Sequence, residues 1–274
     1  MHPLVSIIMP VYNASAYVGT AIESVLNQSH QNWELLIVND GSTDKSRDVI
    51  LQYDDPRIRF YDHSTNRGVS AARNKGLAHM KGEFLCFLDA DDVLPSESIS
   101  GRLAVLLAVP EVNMVDGRVE VFDASMVGLV REWTPSRKGE VVSSLLKLKS
   151  DCFLLLSWMI RVLPGVRYSF DEDMRHAEDL LFLAEVARTG NYDYVEFTIY
   201  QYRQTPGSAM GNIEALGKGY EQYYRKVLLL FSDRLDLFNR WFLLFKIRRI
   251  MFLSFLSHGK ISKALKYLLT GWTH

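Results

Sequence analysis

The sequence predicts an α/β protein: a mostly parallel sheet flanked by helices, with a helical C-terminal extension. Three observations carry this reading. Short apolar runs alternate with helical patterns through the first third of the chain. Polar residues follow the predicted strands there, at the edge where open α/β sheets bind ligands. Beyond residue 213 the pattern becomes helical throughout and rich in basic and aromatic residues.

The elements follow in order. Residues 4–9 are an apolar run stopped by Pro10 and read as a central strand. Ala14, Val18, Ile22, Val25 and Leu26 recur at helical spacing, with Asn13 or Ser15 available as N-cap. Residues 35–38 are a second strand, and Asn39-Asp40-Gly41-Ser42-Thr43-Asp44 leads into another helix. Residues 57–61, 69–80 and 83–88 read as strand, helix and strand, and Pro95 starts a helix through Leu107. The pattern then changes. Residues 112–121 and 126–132 suggest longer strands paired across residues 123–125, and 141–148 suggests a short helix. The apolar stretch 152–160 suits a buried strand or strand pair. Residues 179–189 are helical, 195–203 alternate like a strand, and 205–208 read as a loop. The expected organisation is 1–110, 111–212 and then the extension 213–274.

Composition narrows the function. The chain has 274 residues, 48% of them hydrophobic, and a formal net charge of -1. That balance gives no bulk positive field, so nucleic acid is not an expected partner. Two cysteines, Cys86 and Cys152, suggest no disulfide framework. Residues 1–10 lack the basic start and apolar stretch of a secretory signal, and no run is long enough to span a bilayer. A cytoplasmic location is therefore expected. No Gly-x-Gly-x-x-Gly follows the first strand, as a hydride-transfer enzyme would need, and no phosphate-loop signature occurs.

The sharpest chemical feature is Leu88-Asp89-Ala90-Asp91-Asp92, directly after a buried strand. In extended chain, residues i and i+2 point the same way, so Asp89 and Asp91 can share one hard cation. The same residues also suit a turn or a helix cap. Glu178 and Asp179 open a predicted helix, where acids favour the positive N-terminus.

The series Val11-Tyr12-Asn13, 37–44, Asn66-Arg67-Gly68 with Ala71-Ala72-Arg73-Asn74, Gly82-Glu83 and 87–92 resembles family 2 glycosyltransferases, whose fold is GT-A. The resemblance is close over residues 4–95 and looser to about 210. Asn39 is a departure, since many relatives carry an acid there. The resemblance implies a metal-dependent, inverting transfer of a hexose or N-acetylhexosamine from a UDP-sugar to a saccharide acceptor. It implies that Pro10, Val11 and Tyr12 line the base and ribose pocket, and that Asp40 accepts from uracil N3–H. Gly68 and the helix after it complete the wall, with Arg73 beside the diphosphate or donor sugar. Asp89, Ala90 and Asp91 belong to the donor site, with Asp91 the direct ligand of Mn²⁺ or Mg²⁺ and Asp89 on that ion or its water shell. Asp179 is matched to the catalytic base and Glu178 to its partner. His176 and Arg203 are candidates for the diphosphate. The alternative of another class is a noncatalytic nucleotide-sugar-binding or membrane-associated scaffold, which would need no base at Asp179.

The tail adds a partner. No acid follows Asp236, whereas Arg240, Lys246, Arg248, Arg249, Lys260 and Lys263 are interleaved with Trp241, Phe242, Phe245, Phe252 and Phe255. Such a segment suits either a membrane surface, contacted through residues 237–274, or helices packed on the core with basic edges in water. Membrane contact would in turn suit a lipid-linked acceptor, as in surface polysaccharide or lipooligosaccharide assembly.

Overall fold

The computed structural model describes residues 2–205 and 212–269. Residues 206–208 of the expected loop and 270–274 of the extension lie outside the described residues. The first half alternates as expected: β1 (Val5–Val11), α1 (Val18–Leu26), β2 (Trp33–Asp40), α2 (Ser46–Ile50), β3 (Ile58–His63), α3 (Val69–His79), β4 (Phe84–Phe87) and α4 (Ser98–Ala108). Then come β5 (Val112–Phe122), β6 (Leu129–Trp133), α5 (Val142–Leu146), β7 (Met159–Arg161), α6 (Glu178–Val186) and β8 (Asn191–Arg203). Helices α7 (Ile213–Leu230), α8 (Leu237–Ser257) and α9 (Ile261–Leu269) follow.

The eight strands among the described residues share one sheet, in the order β3-β2-β1-β4-β7-β5-β6, with β8 paired to β5. β1 to β4 are mutually parallel, β7 is antiparallel to both β4 and β5, and β8 is parallel to β5. The sheet is therefore mixed. Alternate residues of β1 feed separate cores on its two faces: Ile8 joins Leu36, Leu85 and Phe87, whereas Ile7 and Met9 join Leu35 and Ile37. Each such buried aliphatic side chain contributes about 1.5–3 kcal/mol.

Strand order reverses between β1 and β4, which makes a crevice at their carboxyl ends. Pro10 does not stop β1; the strand runs on to Val11 and pairs Pro10 with Val38. Ile8 O accepts from Leu88 N, so Pro10, two residues on, turns its hydrogen-free nitrogen to the side where β4 has ended. The crevice and the tolerated proline thus have one cause.

Local expectations needed correction elsewhere. Neither Asn13 nor Ser15 caps α1, which starts at Val18 after Tyr17 with no side-chain cap. Asn13 instead adopts φ 49°, which short polar side chains tolerate, and its Oδ1 accepts from Thr43 N at 2.8 Å. This bond and Ala14 N to Ser46 Oγ (2.8 Å) join the loops after β1 and β2. Ser15 N adds a 3.0 Å bond to the Asp44 carboxylate. Burial raises that carboxyl, but hydrogen bonds from Ser46 and Ser15 outweigh it and hold it at about 2. In the stretch 152–160 only Met159 and Ile160 enter a strand. Trp158 is buried there, its indole N–H bonded to Cys152 O at 3.0 Å, so it belongs to the core.

Candidate functional site

The floor of the crevice is the end of β1. Pro10 and Val11 are buried, and Tyr12 is 51% exposed, a free aromatic face at the mouth. Beside it, Asp40 ends β2 and is buried. Its Oδ1 accepts from His63 Nδ1 at 2.7 Å and Arg67 N at 3.0 Å, and its Oδ2 from Gly68 N at 2.7 Å. The carboxylate therefore draws the start of α3 onto the sheet edge. Gly68 sits at φ 98°, a left-handed conformation that favours glycine, and the Arg175 guanidinium lies against its open side. Arg175, which the sequence did not single out, donates to Arg67 O at 3.3 Å and lies over this turn.

The acidic loop leaves the end of β4. Asp89 projects with a 42% exposed side chain, Asp91 is partly buried and Asp92 is buried. Tyr200 of β8 ties Asp89 to Asp92. Its hydroxyl accepts from Asp89 N at 3.1 Å and donates to Asp92 Oδ2 at 2.9 Å. Arg203 completes the pin: its amide donates to Asp92 Oδ1 (2.8 Å) and its Nε to Asp91 O (2.8 Å). Its Nη1 reaches Ala124 O at 2.9 Å, so the side chain expected at the diphosphate is engaged with backbone carbonyls. Ala90 is buried between the two exposed-side acids.

Like charges crowd this loop. Burial first, and then Asp89, push the Asp91 carboxyl up. Asp92 is pushed well above the usual range by burial and by Asp91 and Asp89. Among the described residues no group of three or more His, Cys, Asp or Glu side chains gathers as a metal cage. The donor set is two hard carboxylates, with Asp91 Oδ2 held by Thr205 Oγ1 at 3.2 Å. That set fits Mg²⁺ or Mn²⁺, which commonly take one or two protein carboxylates and fill the remaining positions with water and substrate phosphate. A cation would also relieve the repulsion between Asp89 and Asp91.

The second acidic pair is brought to this loop by Arg73. From α3, its Nη2 donates to Asp89 Oδ1 at 2.9 Å and its Nη1 to Glu178 Oε1 at 3.1 Å. The guanidinium is buried over the Phe170 ring, 5.3 Å from its centroid. Burial disfavours its charge, but Asp89, Glu178 and Asp179 outweigh that and keep it firmly protonated. Asn74, one residue on, clamps the approaching chain: its Oδ1 accepts from Phe170 N at 2.7 Å and its Nδ2 donates to Phe170 O at 3.0 Å. Ala177 then turns the backbone at φ 60°, an uncommon left-handed conformation for a residue with a Cβ. His176, partly buried, packs on α7 at Gly219, where a Cβ would come within 2.5 Å of its own Cβ.

Asp179 is partly buried in the first turn of α6, its Oδ1 accepting from Leu180 N at 2.7 Å. Burial and then the charge of Glu178 raise its carboxyl to about 7, against the opposing pull of Arg73. A carboxylate so poised is suited to accept a proton near neutral pH. The site therefore joins a two-carboxylate cation site, an open aromatic face and a candidate base. Tyr200 and Asn74 are the supports that sequence reasoning missed. A tyrosine in an alternating strand carries no local sign that β8 will lie beside the acidic loop.

The chain is similar to several known proteins. Residues 6–149 match glycosyl transferase family 2. The chain is 40% identical over 240 residues to an uncharacterized glycosyltransferase of Rickettsia prowazekii, covering 82% of this chain and 73% of that protein. It is 46% identical over 107 residues to an uncharacterized glycosyltransferase of Haemophilus influenzae, covering 38% and 43%. Over 124 residues it is 35% identical to the UDP-Glc:alpha-D-GlcNAc-diphosphoundecaprenol beta-1,3-glucosyltransferase WfgD of Escherichia coli, covering 45% and 49%. The matched segment thus spans less than half of these last two relatives. Among solved structures, S. aureus TarS 1-349 with UDP-GlcNAc aligns at a TM-score of 0.68 and 17% identity, covering 96% of this chain and 90% of that one. The mannosyltransferase PcManGT of Pyrobaculum calidifontis, with GDP-Man and Mn2+, aligns at 0.64 and 16%, covering 100% and 77%. At such identities these two likenesses concern the fold alone.

Proposed function

The chain belongs to glycosyl transferase family 2, and from that premise we propose that it transfers a hexose or N-acetylhexosamine from a UDP-sugar to a saccharide acceptor, with inversion. The observation that carries the proposal is the pair of hydrogen bonds that Arg73 donates to Asp89 and Glu178, which holds a candidate base beside a candidate cation site. The GT-A arrangement is part of the same reading.

Each residue has a physical task. Tyr12 offers its exposed face to the uracil. Asp40, with lone-pair capacity beyond its three internal bonds, accepts from uracil N3–H, a proton that cytosine lacks at that position. Gly68 and Arg175 bound the same pocket. Asp91, with Asp89, holds the divalent ion, Mn²⁺ or Mg²⁺, and that ion supplies charge neutralisation to the leaving UDP. Arg73 keeps Glu178 and Asp89 in register, and Arg203 keeps Asp91 in place through its carbonyl. Asp179 removes the proton from the acceptor hydroxyl as its oxygen attacks the anomeric carbon and the bond to UDP breaks. Attack from the face opposite UDP turns an α-linked donor into a β-linked product.

A lipid-linked saccharide is the proposed acceptor class, in surface polysaccharide synthesis. The support is the similarity to the E. coli glucosyltransferase, whose name gives its acceptor as alpha-D-GlcNAc-diphosphoundecaprenol. The test is UDP release from a panel of UDP-sugars, with Mn²⁺ and with EDTA, each with and without a polyprenyl-diphosphate saccharide. Acceptor-stimulated, chelator-sensitive release from a UDP-sugar is expected. Donor binding with no transfer to any saccharide, lipid-linked or free, would overturn the reading.

A further inference from the structure

Helix α8 is apolar on two sides. Leu243, Ile247, Met251 and Phe255, four residues apart, face the core and are buried. On the opposite side Phe238 (69% exposed), Trp241 (61%), Phe245 (49%), Leu253 (50%) and Leu256 form a second stripe in water. At 1.5 Å per residue the stripe is about 27 Å long. Trp241 and Phe245 stack on each other at 5.6 Å and 13°, so the start of the stripe is a flat aromatic platform. A helix whose core face is already satisfied has no packing reason to carry a second one.

Charge identifies what covers it. No Asp or Glu occurs on α8 or α9. Exposed Arg249 interrupts the stripe at its middle, and Lys246 flanks it. Lys149, exposed in the loop after α5, faces Lys246 from outside the helix. Burial and the charges of Lys149 and Arg249 disfavour the Lys246 ammonium, with Asp151 as the opposing acid. Lys260, just before α9, and Lys263 on α9 are differently placed: both reach Glu214 of α7, so their charge is partly offset within the chain. A second copy of the chain is a poor occupant. A twofold contact through the stripe would bring Arg249 against its own counterpart. An anionic lipid surface suits both features, with aromatic rings at the headgroup level and cations against lipid phosphate. No helix among the described residues is long and apolar enough to cross a membrane, so the contact would be lateral.

We propose that the outward face of α8, with Lys149, docks this protein on an anionic bilayer surface. This surface is separate from the crevice between β1 and β4, so docking stands or falls independently of sugar transfer. The test is co-sedimentation of the full chain with phosphatidylglycerol–phosphatidylcholine vesicles and with phosphatidylcholine vesicles. Binding to the anionic vesicles is expected, falling in 0.5 M salt as surface charges are screened, a salt level about three times physiological. Trp241→Ser with Phe245→Ser should weaken partitioning by about tenfold or more. Lys246→Glu with Arg249→Glu, which leaves the apolar stripe intact, should abolish the preference for anionic lipid. Both variants should keep the wild-type circular dichroism and the wild-type rate of UDP release with a soluble acceptor. Equal binding by wild type and the charge-reversal variant would overturn the proposal. So would absence of vesicle binding together with a concentration-dependent dimer that Trp241→Ser and Phe245→Ser dissolve.

Discussion

Arg73 and Glu178 lie 105 residues apart in the chain and meet at 3.1 Å, both buried. The same guanidinium holds Asp89 at 2.9 Å. One side chain on α3 thus fixes the distance between the proposed cation site and the proposed base.

Replacing Arg73 tests that cross-link. Arg73→Met strands the Glu178 carboxylate in a buried position, and breaking such a pair costs about 3–5 kcal/mol. Urea denaturation should register that loss. Arg73→Lys keeps the charge but lacks the planar fork that spans two carboxylates. In that variant kcat should fall by about 100-fold, the scale of a 1 Å misplacement, with donor KM nearly unchanged. A rise in donor KM at constant kcat would make Arg73 a direct donor ligand.

Asp179→Asn should lower kcat by about 100- to 10,000-fold, the range for loss of a general base, while donor affinity persists. In the wild type only the carboxylate form of Asp179 accepts a proton. Its carboxyl is raised to about 7, so kcat/KM should be lost as pH falls through that value and level off above it. Glu178→Gln removes a charge that raises Asp179 and should move this limb to lower pH. A limb that stays in place would show that another group sets it.

Tyr200→Phe removes the hydroxyl between Asp89 N and Asp92 Oδ2. Leaving a buried acceptor unsatisfied costs about 1–3 kcal/mol. The variant should melt earlier and need more Mn²⁺ for half-maximal transfer. Unchanged Mn²⁺ dependence would detach Tyr200 from the cation site.

A buried carboxyl on β5 gives a pH test of stability. Asp116 of β5 is fully buried, accepts from Ser157 Oγ at 2.7 Å and Tyr192 Oη at 3.3 Å, and is raised to about 6 by burial. Because its folded-state value is raised, its contribution to stability is fully present below the ordinary carboxyl range and is lost as pH rises through about 6. At about 1.4 kcal/mol per unit, the loss approaches about 3 kcal/mol. Asp116→Asn carries no such charge, so its stability relative to wild type should improve between pH 4.5 and 7.5. A constant difference across that range would refute the assignment.

Strand ends and the residues on them were legible because they are local. The run from Val5 to Val11, the glycine at Gly68 and the acids from Asp89 to Asp92 announce a sheet edge with chemistry on it, and family membership followed from their order. Short-range hydrogen bonding was less legible. Asn13 looks like a cap, yet Thr43 competes for its side chain, and the competitor arrives from the loop after the next strand.

The sequence by itself determined the alternation of strands and helices, the residue types at the sheet edge and the absence of acids after Asp236, because periodicity and turn chemistry are written within a few residues. Only the tertiary structure decided what Arg73, Tyr200, Arg203 and the outer face of α8 do. Arg73 is one of several arginines until α6 is folded against α3, and Arg203 is a free cation until β8 pairs with β5 beside Asp91. The stripe on α8 is one of two apolar faces until the core takes the other. Contacts between residues about a hundred positions apart depend on strand order and helix packing, which no local pattern encodes.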